Sequence, residues 1–408
     1  MRFEKYKIKD LISEISMGPF GSNIKVECFV DDGIPVLNGS NMEGIVLKEN
    51  SFRYVTEEKA NSLGKANAHR GDVVITHRGT LGQIVFIPQN SKYDRYIISQ
   101  SQFRVKCNER ILPEYLVYYF HTRIGRSKLL SNASQVGVPA LARASTSFQK
   151  IEIEVPSIDC QLRIVDCLEI IRGKIEINNR INENLLQQTN ALYEHFLQES
   201  EWPIATIMDV AEKVAMGPFG SNIKVSTFVP EGVPIISGNH LRGYFLEEPE
   251  FNYITEEHAD RLKNSIVFPR DLIFTHAGNI GQVAMIPVGC KYDRYVLSQR
   301  QFYLRCDETK VVPEFLLMFF HSASGQHELL SYANQTGVPS IAQPASNLKK
   351  IPFKCPPFQE QLKWQEQIRP LLGEYINNRL ENERLSALRD ALLPKLMSGE
   401  LDVSDLDL

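Results

Sequence analysis

Two glycine-flanked segments of the chain carry side chains of the kinds that contact nucleic acids. The sequence MGPFGSNIK stands at 17–25 and again, without change, at 216–224. Its polar residues, which must lie on a turn, are Ser22, Asn23 and Lys25, with Ser221, Asn222 and Lys224 in the second copy. Lysine and hydroxyl groups bind phosphate oxygens, and asparagine can pair with the edge of adenine. We predict that these residues contact DNA; the alternative is a tight turn in which Asn23 only adopts a left-handed conformation.

A second pair of segments, THRGTLGQ at 76–83 and THAGNIGQ at 275–282, is typical of a loop tip that can enter a groove of DNA. The candidate contacts are His77, Arg78, Thr80 and Gln83 in the first loop and His276, Asn279 and Gln282 in the second. Positions that differ between the loops, Arg78 against Ala277 and Thr80 against Asn279, are the better candidates for recognising different bases. The alternative for the two histidines is a purely structural role, which is the usual one for a lone histidine.

The motif KYDRY, at 92–96 and 291–295, and the glutamines after it complete the candidate set. The basic residues Lys92, Arg95, Lys291 and Arg294 either bind phosphate or form an ion pair with the aspartate inside their own motif. Gln102 and Gln301 each stand two residues after another glutamine on a predicted strand, so the pair shares one face of that strand. These glutamines either recognise adenine or simply face solvent.

The sequence has no catalytic or metal-binding pattern. His69, His77, His121 and Asp72 match no ligand spacing, and the second copy has Phe268 in place of His69. The seven cysteines form no C-x-x-C pair, which argues against a zinc site and a disulfide framework. Neither the methyltransferase motif N-P-P-[FY] nor the phosphate-binding loop G-x-x-x-x-G-K-[ST] occurs. We therefore predict that the chain is not itself a catalyst and holds no metal or cofactor.

The positions of these motifs make the chain a tandem repeat. An offset of 199 residues relates the two copies of MGPFGSNIK and of KYDRY, and an offset of 200 relates GVP at 137–139 to GVP at 337–339. A period of this length indicates duplicated domains. Strand-like runs such as DVVIT, QIVFIP and YIIS, with a helix predicted from Pro113 through PEYLVYYFHTRIGRSKLLSNA, give each copy the α/β (α+β) class. The predicted parts are a domain at 1–155, a helix at 156–201, a domain at 202–355, and a helix with its tail at 356–408.

Two long helices must position these domains. The first has a seam with alternating spacings of four and three, made of Ile164, Leu168, Ile171, Ile175, Asn178, Asn182, Leu185, Thr189, Leu192 and Phe196. The second is less regular, with one face marked by Leu372, Ile376, Leu380, Leu388 and Leu392. The pattern predicts a coiled-coil spacer of two antiparallel helices with pseudo-two-fold symmetry, in which polar seam residues fix the register. About 60 Å of helix would separate the domains by at most ~17 base pairs. The alternative is that each amphipathic helix packs on its own domain.

Composition and charge exclude several classes of protein. The 408 residues, 43% hydrophobic and 23% charged, are typical of a soluble protein with two or more domains. The sequence has no run that is typical of a signal peptide or a membrane span, and scattered cysteines fit the cytoplasm. The net charge is −4, but residues 1–155 have 21 Lys/Arg against 16 Asp/Glu, and residues 202–355 have 14 against 15. The acidic excess therefore lies in the predicted helices, which leaves the domains free to carry local basic faces.

The order and duplication of these motifs resemble the specificity subunit of Type I restriction-modification enzymes over essentially the whole chain. The residues that carry the resemblance are GVPALARASTSFQKIEIEVPSIDCQ at 137–161, GVPSIAQPASNLKKIPFKCPPFQEQ at 337–361 and the tail ALLPKLMSGELDV at 391–403. The resemblance implies two target-recognition domains that each bind half of a bipartite site in double-stranded DNA. It also implies helices that set the gap and dock two methyltransferase subunits, which carry S-adenosylmethionine. Restriction subunits, which are motor nucleases, are a further implied partner.

One departure from that family pattern concerns the two domains, which often differ strongly in such subunits. Here they are close relatives, so two similar domains about a two-fold axis predict a near-palindromic bipartite site. Differences such as Arg78 against Ala277 and Ser101 against Arg300 could make the two halves unequal. The rival hypotheses are a duplicated scaffold that binds proteins without recognising DNA, and a self-sufficient nuclease or methyltransferase, against which the missing motifs argue.

Overall fold

The computed structural model of the chain describes residues 1–19, 23–134, 137–248, 250–334 and 337–404, except for the side chain of Ser221. The chain forms two compact units, residues 1–177 with 381–408, and residues 178–380. Two long helices, Ile158–Gln198 and Phe358–Ser398, each contribute residues to both units. The first unit is therefore discontinuous in sequence, whereas the second is continuous.

The first unit consists of two main sheets and a group of helices. Its strands are β1 Phe3–Lys7, β2 Ile12–Met17, β3 Phe29–Val30, β4 Ile34–Val36, β5 Arg53–Val55, β6 Asn67–His69, β7 Asp72–Thr76, β8 Ile84–Phe86, β9 Arg95–Ile97, β10 Gln102–Cys107, β11 Ala133–Ser134, β12 Ala140–Leu141 and β13 Glu152–Pro156. Its helices are α1 Glu57–Ser62, α2 Pro113–His121, α3 Arg123–Leu130, α4 Ala144–Gln149 and the first half of α5 Ile158–Gln198. One sheet has the order β2-β10-β7-β8 and is antiparallel, and the other has the order β3-β5-β4-β9-β6 with β4 and β9 parallel. The strands predicted at DVVIT, QIVFIP and YIIS are confirmed as β7, β8 and β9.

The sheet that contains β7 is buried because this strand is apolar over most of its length. Every residue of β7 is buried, as expected for a strand covered on both faces. Val73 and Ile75 pack in one hydrophobic core and Val74 packs in another. Since a slip of one residue would exchange these faces, the pattern fixes the register in which Thr76 pairs with Gln102.

The single helix predicted from Pro113 is wrong, because two helices occupy this segment. Thr122 is extended, with φ −68° and ψ 157°, and separates α2 from α3. Its hydroxyl accepts a hydrogen bond from the Gly125 backbone N–H at 3.0 Å, which is the N-cap that threonine favours. Ser322 caps the corresponding helix of the second unit in the same way, with Gly325 as donor at 3.1 Å.

The second unit repeats the fold of the first. Its strands are β14 Ile204–Thr206, β15 Ala211–Met216, β16 Val233–Ile236, β17 Asn252–Ile254, β18 Ile266–Val267, β19 Leu272–Thr275, β20 Val283–Met285, β21 Tyr295–Leu297, β22 Gln301–Cys306, β23 Ala333–Asn334, β24 Ser340–Ile341 and β25 Pro352–Lys354. Its helices are α6 Ile207–Val210, α7 Glu256–Arg261, α8 Pro313–His321, α9 Ala323–Leu330, α10 Pro344–Leu348 and the first half of α11 Phe358–Ser398, with the second half of α5. The sheets have the orders β15-β22-β19-β20 and β17-β16-β21-β18, and Thr275 pairs with Gln301 as Thr76 does with Gln102.

The antiparallel arrangement of α5 and α11 is confirmed within the second unit. The Asn378 side chain donates to Oδ1 of Asn182 at 3.0 Å, and Phe196 stacks on Trp364 with ring centroids 6.1 Å apart. Residue numbers therefore rise along one helix as they fall along the other. The buried asparagines satisfy each other, which supports the prediction that polar seam residues fix the register.

The helix ends also complete the cores of the two units. In the first unit, Leu393, Leu396 and Met397 of α11 pack in the same core as Ile164 of α5, and Val403 of the tail joins them. In the second unit, the end of α5 has this role through Tyr193 and Phe196. The helices thus pack both on each other and on a domain, which combines the two arrangements that the sequence left open.

The predicted face of α11 is wrong at Leu380 and Leu388, which are 44% and 48% exposed. The buried face instead follows Trp364, Ile368, Leu372, Tyr375 and Asn378. Leu380 lies two residues after Asn378, a rotation of about 200° around the helix, and therefore points away from that face. The buried face of this part of α11 therefore combines two aromatic residues, two aliphatic residues and one asparagine.

One glutamine at the start of each long helix joins it to the domain before it. The Gln161 side chain is fully buried, accepts from the Leu112 N–H at 3.0 Å and donates to two backbone carbonyls, each at 2.9 Å. Gln361 accepts from the Val312 N–H at 3.0 Å in the second unit. These bonds explain why the same residue type opens both helices.

Within the described ranges, the helices are all too short or too polar to cross a membrane.

Candidate nucleic-acid interface

A polar cleft of about 720 Å³ opens in the first unit where β7 ends and β10 begins. Its walls include the predicted contact residues Arg78, Thr80, Gln83 and Gln102. Arg53 of β5 lines the same cleft and was not among the predicted residues. No periodicity marks Arg53, because it reaches the cleft through the pairing of β5 with β4, a tertiary arrangement.

The loop after β7 is held by the GVP segment that follows it much later in the chain. Gly79 has φ +89°, a conformation that favours glycine, and its N–H donates to the Pro139 carbonyl at 2.9 Å. The His77 carbonyl accepts from the Leu141 N–H at 2.8 Å. Gly278 donates to Pro339 at 2.9 Å in the second unit. The GVP motif therefore positions the loop that carries Arg78.

Arg78 and Thr80 are the exposed residues of this loop. The Arg78 guanidinium has no ion pair or hydrogen bond within the described residues, so its five donors are available to a ligand. Arg53 is also exposed, and its guanidinium lies 5.2 Å from the ring centroid of Phe29. The cleft thus presents two cations and a hydroxyl to solvent.

The predicted glutamines have mainly internal partners. Gln102 is only 1% exposed, and its Oε1 accepts from the Ser99 N–H at 2.8 Å. Gln301 is equally buried, and the Ser298 hydroxyl donates to its Oε1. Gln83 and Gln282 accept from Thr76 and Thr275, at 3.2 and 3.1 Å. The expectation that Gln102 and Gln301 face solvent is therefore wrong; both hold the turn at the edge of the cleft.

Each of the two histidines lies beside the turn of its own unit, the turn before β10 for His77 and the turn before β22 for His276. His276 Nε2 is 3.1 Å from the Gln299 carbonyl oxygen. Burial lowers the pKa of His77, whose ring lies 6.3 Å from that of Phe103. The backbone N–H of each histidine donates to a backbone carbonyl of that turn, His77 to Ser101 at 2.9 Å and His276 to Arg300 at 3.0 Å. Nε2 of His77 is buried and has no hydrogen-bond partner among the described residues.

The second residue of each MGPFGSNIK segment is a glycine that the fold requires. A Cβ at Gly18 would overlap the Ser99 carbonyl oxygen, and one at Gly217 would overlap that of Ser298. The predicted contacts Asn23, Lys25, Asn222 and Lys224 are exposed. Ser22, with Phe20 and Gly21, lies outside the described residues, as does the Ser221 side chain.

Apolar side chains accompany these exposed polar residues. Val26 and Val225 occupy equivalent positions and are 77% and 82% exposed, and Phe219 is 74% exposed. Nothing in the sequence pattern distinguishes these residues from core residues. Apolar groups of this kind can contact the methyl group of thymine.

The KYDRY motifs do not line the cleft, and their internal ion pairs are absent from the described residues. Arg95 bonds to the Asn61 side chain at 2.7 Å, and Arg294 to Asp260 at 2.7 Å, both on short helices. Asp94 pairs with Arg70 at 2.7 Å. Lys92 and Lys291 are exposed, and each ammonium lies 5.1 Å from the ring centroid of the next tyrosine.

The corresponding cleft of the second unit is smaller, about 220 Å³. It is lined by Pro218, Gly220, Ile223, Ser298, Gln299 and Arg300. Asn279 is exposed on the loop after β19, and Ala277 takes the place of Arg78. The cation at this cleft therefore comes from Arg300, on the turn before β22.

In the part of the chain that the structure describes, no three metal-ligating side chains converge. What the clefts offer is hydrogen-bond donors, cations and small apolar groups around a glycine-rich loop, which can bind a polar, negatively charged surface.

Comparisons with known proteins agree with this architecture. The family model of the Type I restriction modification DNA specificity domain matches residues 2–187 and 199–389. The specificity subunit of the Type I restriction enzyme MjaIX from Methanocaldococcus jannaschii is 23% identical over 435 residues, covering 98% of this chain and 94% of that protein. The S subunit of a Type I restriction-modification system from M. genitalium has a similar fold, with a TM-score of 0.56 at 13% identity over 97% of this chain and 96% of that one.

Proposed function

This chain belongs to the Type I restriction-modification DNA specificity family, and we propose from this premise that it selects the DNA sequence on which its partner enzymes act. Each of the two domains binds one half of a bipartite, near-palindromic site in double-stranded DNA. The chain itself catalyses no reaction. The observation that carries this proposal is the duplicated loop cluster with an exposed cation, Arg78 in one unit and Arg300 in the other.

The exposed residues divide by chemistry into those that recognise bases and those that bind phosphate. Arg78 and Thr80 in the first unit, and Asn279 in the second, approach base edges in the major groove, where arginine pairs with guanine and asparagine with adenine. The remaining exposed candidates, which we assign to the phosphates of the DNA backbone, are Asn23, Lys25, Lys92, Asn222, Lys224 and Lys291. The buried or paired candidates, His77, Gln83, Arg95, Gln102, His276, Gln282, Arg294 and Gln301, hold the recognition loops in place. Ser22 and Ser221 keep the role of phosphate contacts.

The long helices set the gap between the half-sites and dock two methyltransferase subunits. Ile170 and Ile177 of α5 support this, because they are 62% and 54% exposed on a helix whose opposite face is buried. The methyltransferases supply S-adenosylmethionine, and restriction subunits join the same complex in the cytoplasm. The proposed division is into recognition domains at 1–155 and 202–355 and spacer segments at 156–201 and 356–408.

Expression of the chain with its cognate methyltransferase, followed by mapping of methylated adenines in long-read sequencing, tests this function. A gapped, inverted motif with related halves is the expected result. A purified complex that methylates no defined motif would overturn the proposal in favour of a protein scaffold. Binding of DNA by the complex should also weaken steeply as salt rises, because phosphate contacts release counterions.

A further inference from the structure

The two clefts each have an arginine beside the histidine–glycine loop, but at different positions of the repeat. Arg78 aligns with Ala277, and Ser101 aligns with Arg300. In the structure these two alignment positions are neighbours. The backbone N–H of His77, the residue before Arg78, donates to the carbonyl oxygen of Ser101 at 2.9 Å. In the second unit, the backbone N–H of His276 donates to the carbonyl oxygen of Arg300 at 3.0 Å.

Each arginine lies beside the histidine–glycine loop of its own unit. A Cβ on Gly278 would lie 3.7 Å from Nη1 of Arg300, so this guanidinium lies against the loop after β19, which corresponds to the loop that carries Arg78 in the first unit. In the first unit, Arg78 and Ser101 line one cleft together. An arginine at both positions would bring two like charges together, whereas Ala277 and Ser101 leave room for one.

Arg300 is exposed and has no ion pair or side-chain hydrogen bond within the residues that the structure describes. Two other arginines of this unit, by contrast, are paired with acids, Arg294 with Asp260 and Arg305 with Asp271. A guanidinium held beside a loop without an acidic partner has all its donors free for a ligand. Guanine offers O6 and N7 for a bidentate contact with such a group.

We propose that Arg300 determines specificity in the second domain as the counterpart of Arg78, and that each cleft uses one guanidinium to recognise a guanine·cytosine pair in its half-site. The two domains deliver this group from different strands: Arg78 from the loop after β7 and Arg300 from the turn before β22. This inference rests on the proposed function and adds to it the residue and the class of base pair.

Single substitutions provide the first test, with the methylation motif of the complex as the readout. Arg78→Ala and Arg300→Ala should each reduce discrimination at one guanine·cytosine pair by about 5- to 150-fold, the range for loss of a bidentate contact. The two relaxed positions should lie in different halves of the motif. Lys106→Ala is the matched control, because Lys106 is exposed on β10 at the end remote from Gln102 and should leave the motif unchanged.

The exchange variant is the sharper test. Arg78→Ala with Ser101→Arg moves the arginine of the first domain to the position it has in the second, and should restore discrimination for a guanine·cytosine pair in that half. A double variant that stays as relaxed as Arg78→Ala would overturn the proposal, as would an unchanged motif with Arg300→Ala. These failures differ from failure of the proposed function itself, in which the unaltered complex methylates no motif. The yield of assembled complex shows whether each variant folds.

Discussion

The first and second recognition clefts have the same frame but different exposed side chains. Each cleft has a glycine, Gly18 or Gly217, that packs against a backbone carbonyl, and a histidine–glycine loop that hydrogen-bonds to the GVP segment. Each also has a buried glutamine, Gln102 or Gln301, that hydrogen-bonds within the turn at the cleft edge. The exposed positions differ: Arg53 against Asn252, Arg78 against Ala277 and Ser101 against Arg300. Duplication has preserved this frame, together with exposed residues such as Asn23 and Lys25, and has changed these three positions at the cleft. The difference between the copies therefore separates residues that build the cleft from residues that select what binds.

The largest expected effect concerns the shared frame. Gly18→Ala and Gly217→Ala should each lower the free energy of unfolding by about 3 kcal/mol, because the new methyl overlaps a backbone carbonyl that cannot move without shifting a strand. Denaturant unfolding of the purified chain measures the loss. Gly39→Ala is the control, since a Cβ there meets open space. A large loss in one copy with none in the other would break the idea of a common frame.

A pH effect is expected from the histidine at the end of α8, whose counterpart in the first unit, His121, also has a pKa lowered by burial. Burial lowers the pKa of His321 to about 4, and its ring stacks on Tyr244 with centroids 3.7 Å apart. Because this pKa is depressed in the folded state, stability is full above the unfolded value of about 6.5 and is lost as pH falls toward 4. Wild-type protein should lose about 2 kcal/mol more than His321→Gln between pH 7 and pH 5, measured by denaturant unfolding. Equal losses in the two proteins would show that His321 is not the group responsible.

Arg53 on β5 and its counterpart Asn252 on β17 differ in charge, and this difference should affect the salt dependence of DNA binding. Arg53→Asn gives the first domain the residue of the second, and should make the slope of log Kobs against log salt less steep by about 1. The reciprocal change, Asn252→Arg, should make it steeper by about the same amount. Fluorescence anisotropy of the assembled complex at several salt concentrations measures both slopes. If Arg53→Asn leaves the slope unchanged, Arg53 does not contact phosphate.

The smallest expected effect is a gain in stability when a glycine inside either long helix is replaced by alanine, and it should be equal in the two helices. Gly173 and Gly373 lie inside α5 and α11, and a Cβ at either position meets no atom within 4 Å. Alanine should therefore stabilise the protein by about 0.5–1 kcal/mol at each position, because glycine lowers helix stability by this amount. Thermal unfolding of Gly173→Ala and Gly373→Ala measures the gain. A loss of stability at one glycine only would indicate that the helices have unequal surroundings there.

The sequence predicted features that arise from periodicity and duplication. The repeat, the strand β7 and the seam of α5 follow from patterns that local geometry imposes, and the structure confirms them. The break between helices at Thr122 was not predicted because the apolar pattern continues through it. The sequence does contain a local signal for the break, since threonine is a residue type that caps the start of a helix, as Thr122 does by accepting from the Gly125 N–H. The exposure of Leu380 was not predicted because the buried face of α11 includes Trp364, Tyr375 and Asn378, which a pattern of aliphatic residues alone leaves out.

The hydrogen-bond and ion-pair partners of individual side chains could not be predicted from the sequence. Arg95 and Asp94 are neighbours in the chain, yet each bonds to a residue more than twenty positions away. Gln102 and Gln100 are predicted to share one face of a strand, yet Gln102 is buried at the start of β10 while Gln100 is exposed on the turn before it. These outcomes depend on which segments the fold brings together, and that information is distributed over the whole domain.

The division of the two long helices between the units has a consequence for synthesis on the ribosome. Domains usually complete their folding in the order in which they are made, from the N-terminus. Here the first unit lacks Leu393, Leu396 and Met397 of its core until those residues emerge. The second unit is a continuous segment that ends at residue 380. The unit that is translated first is therefore the last that can complete its folding.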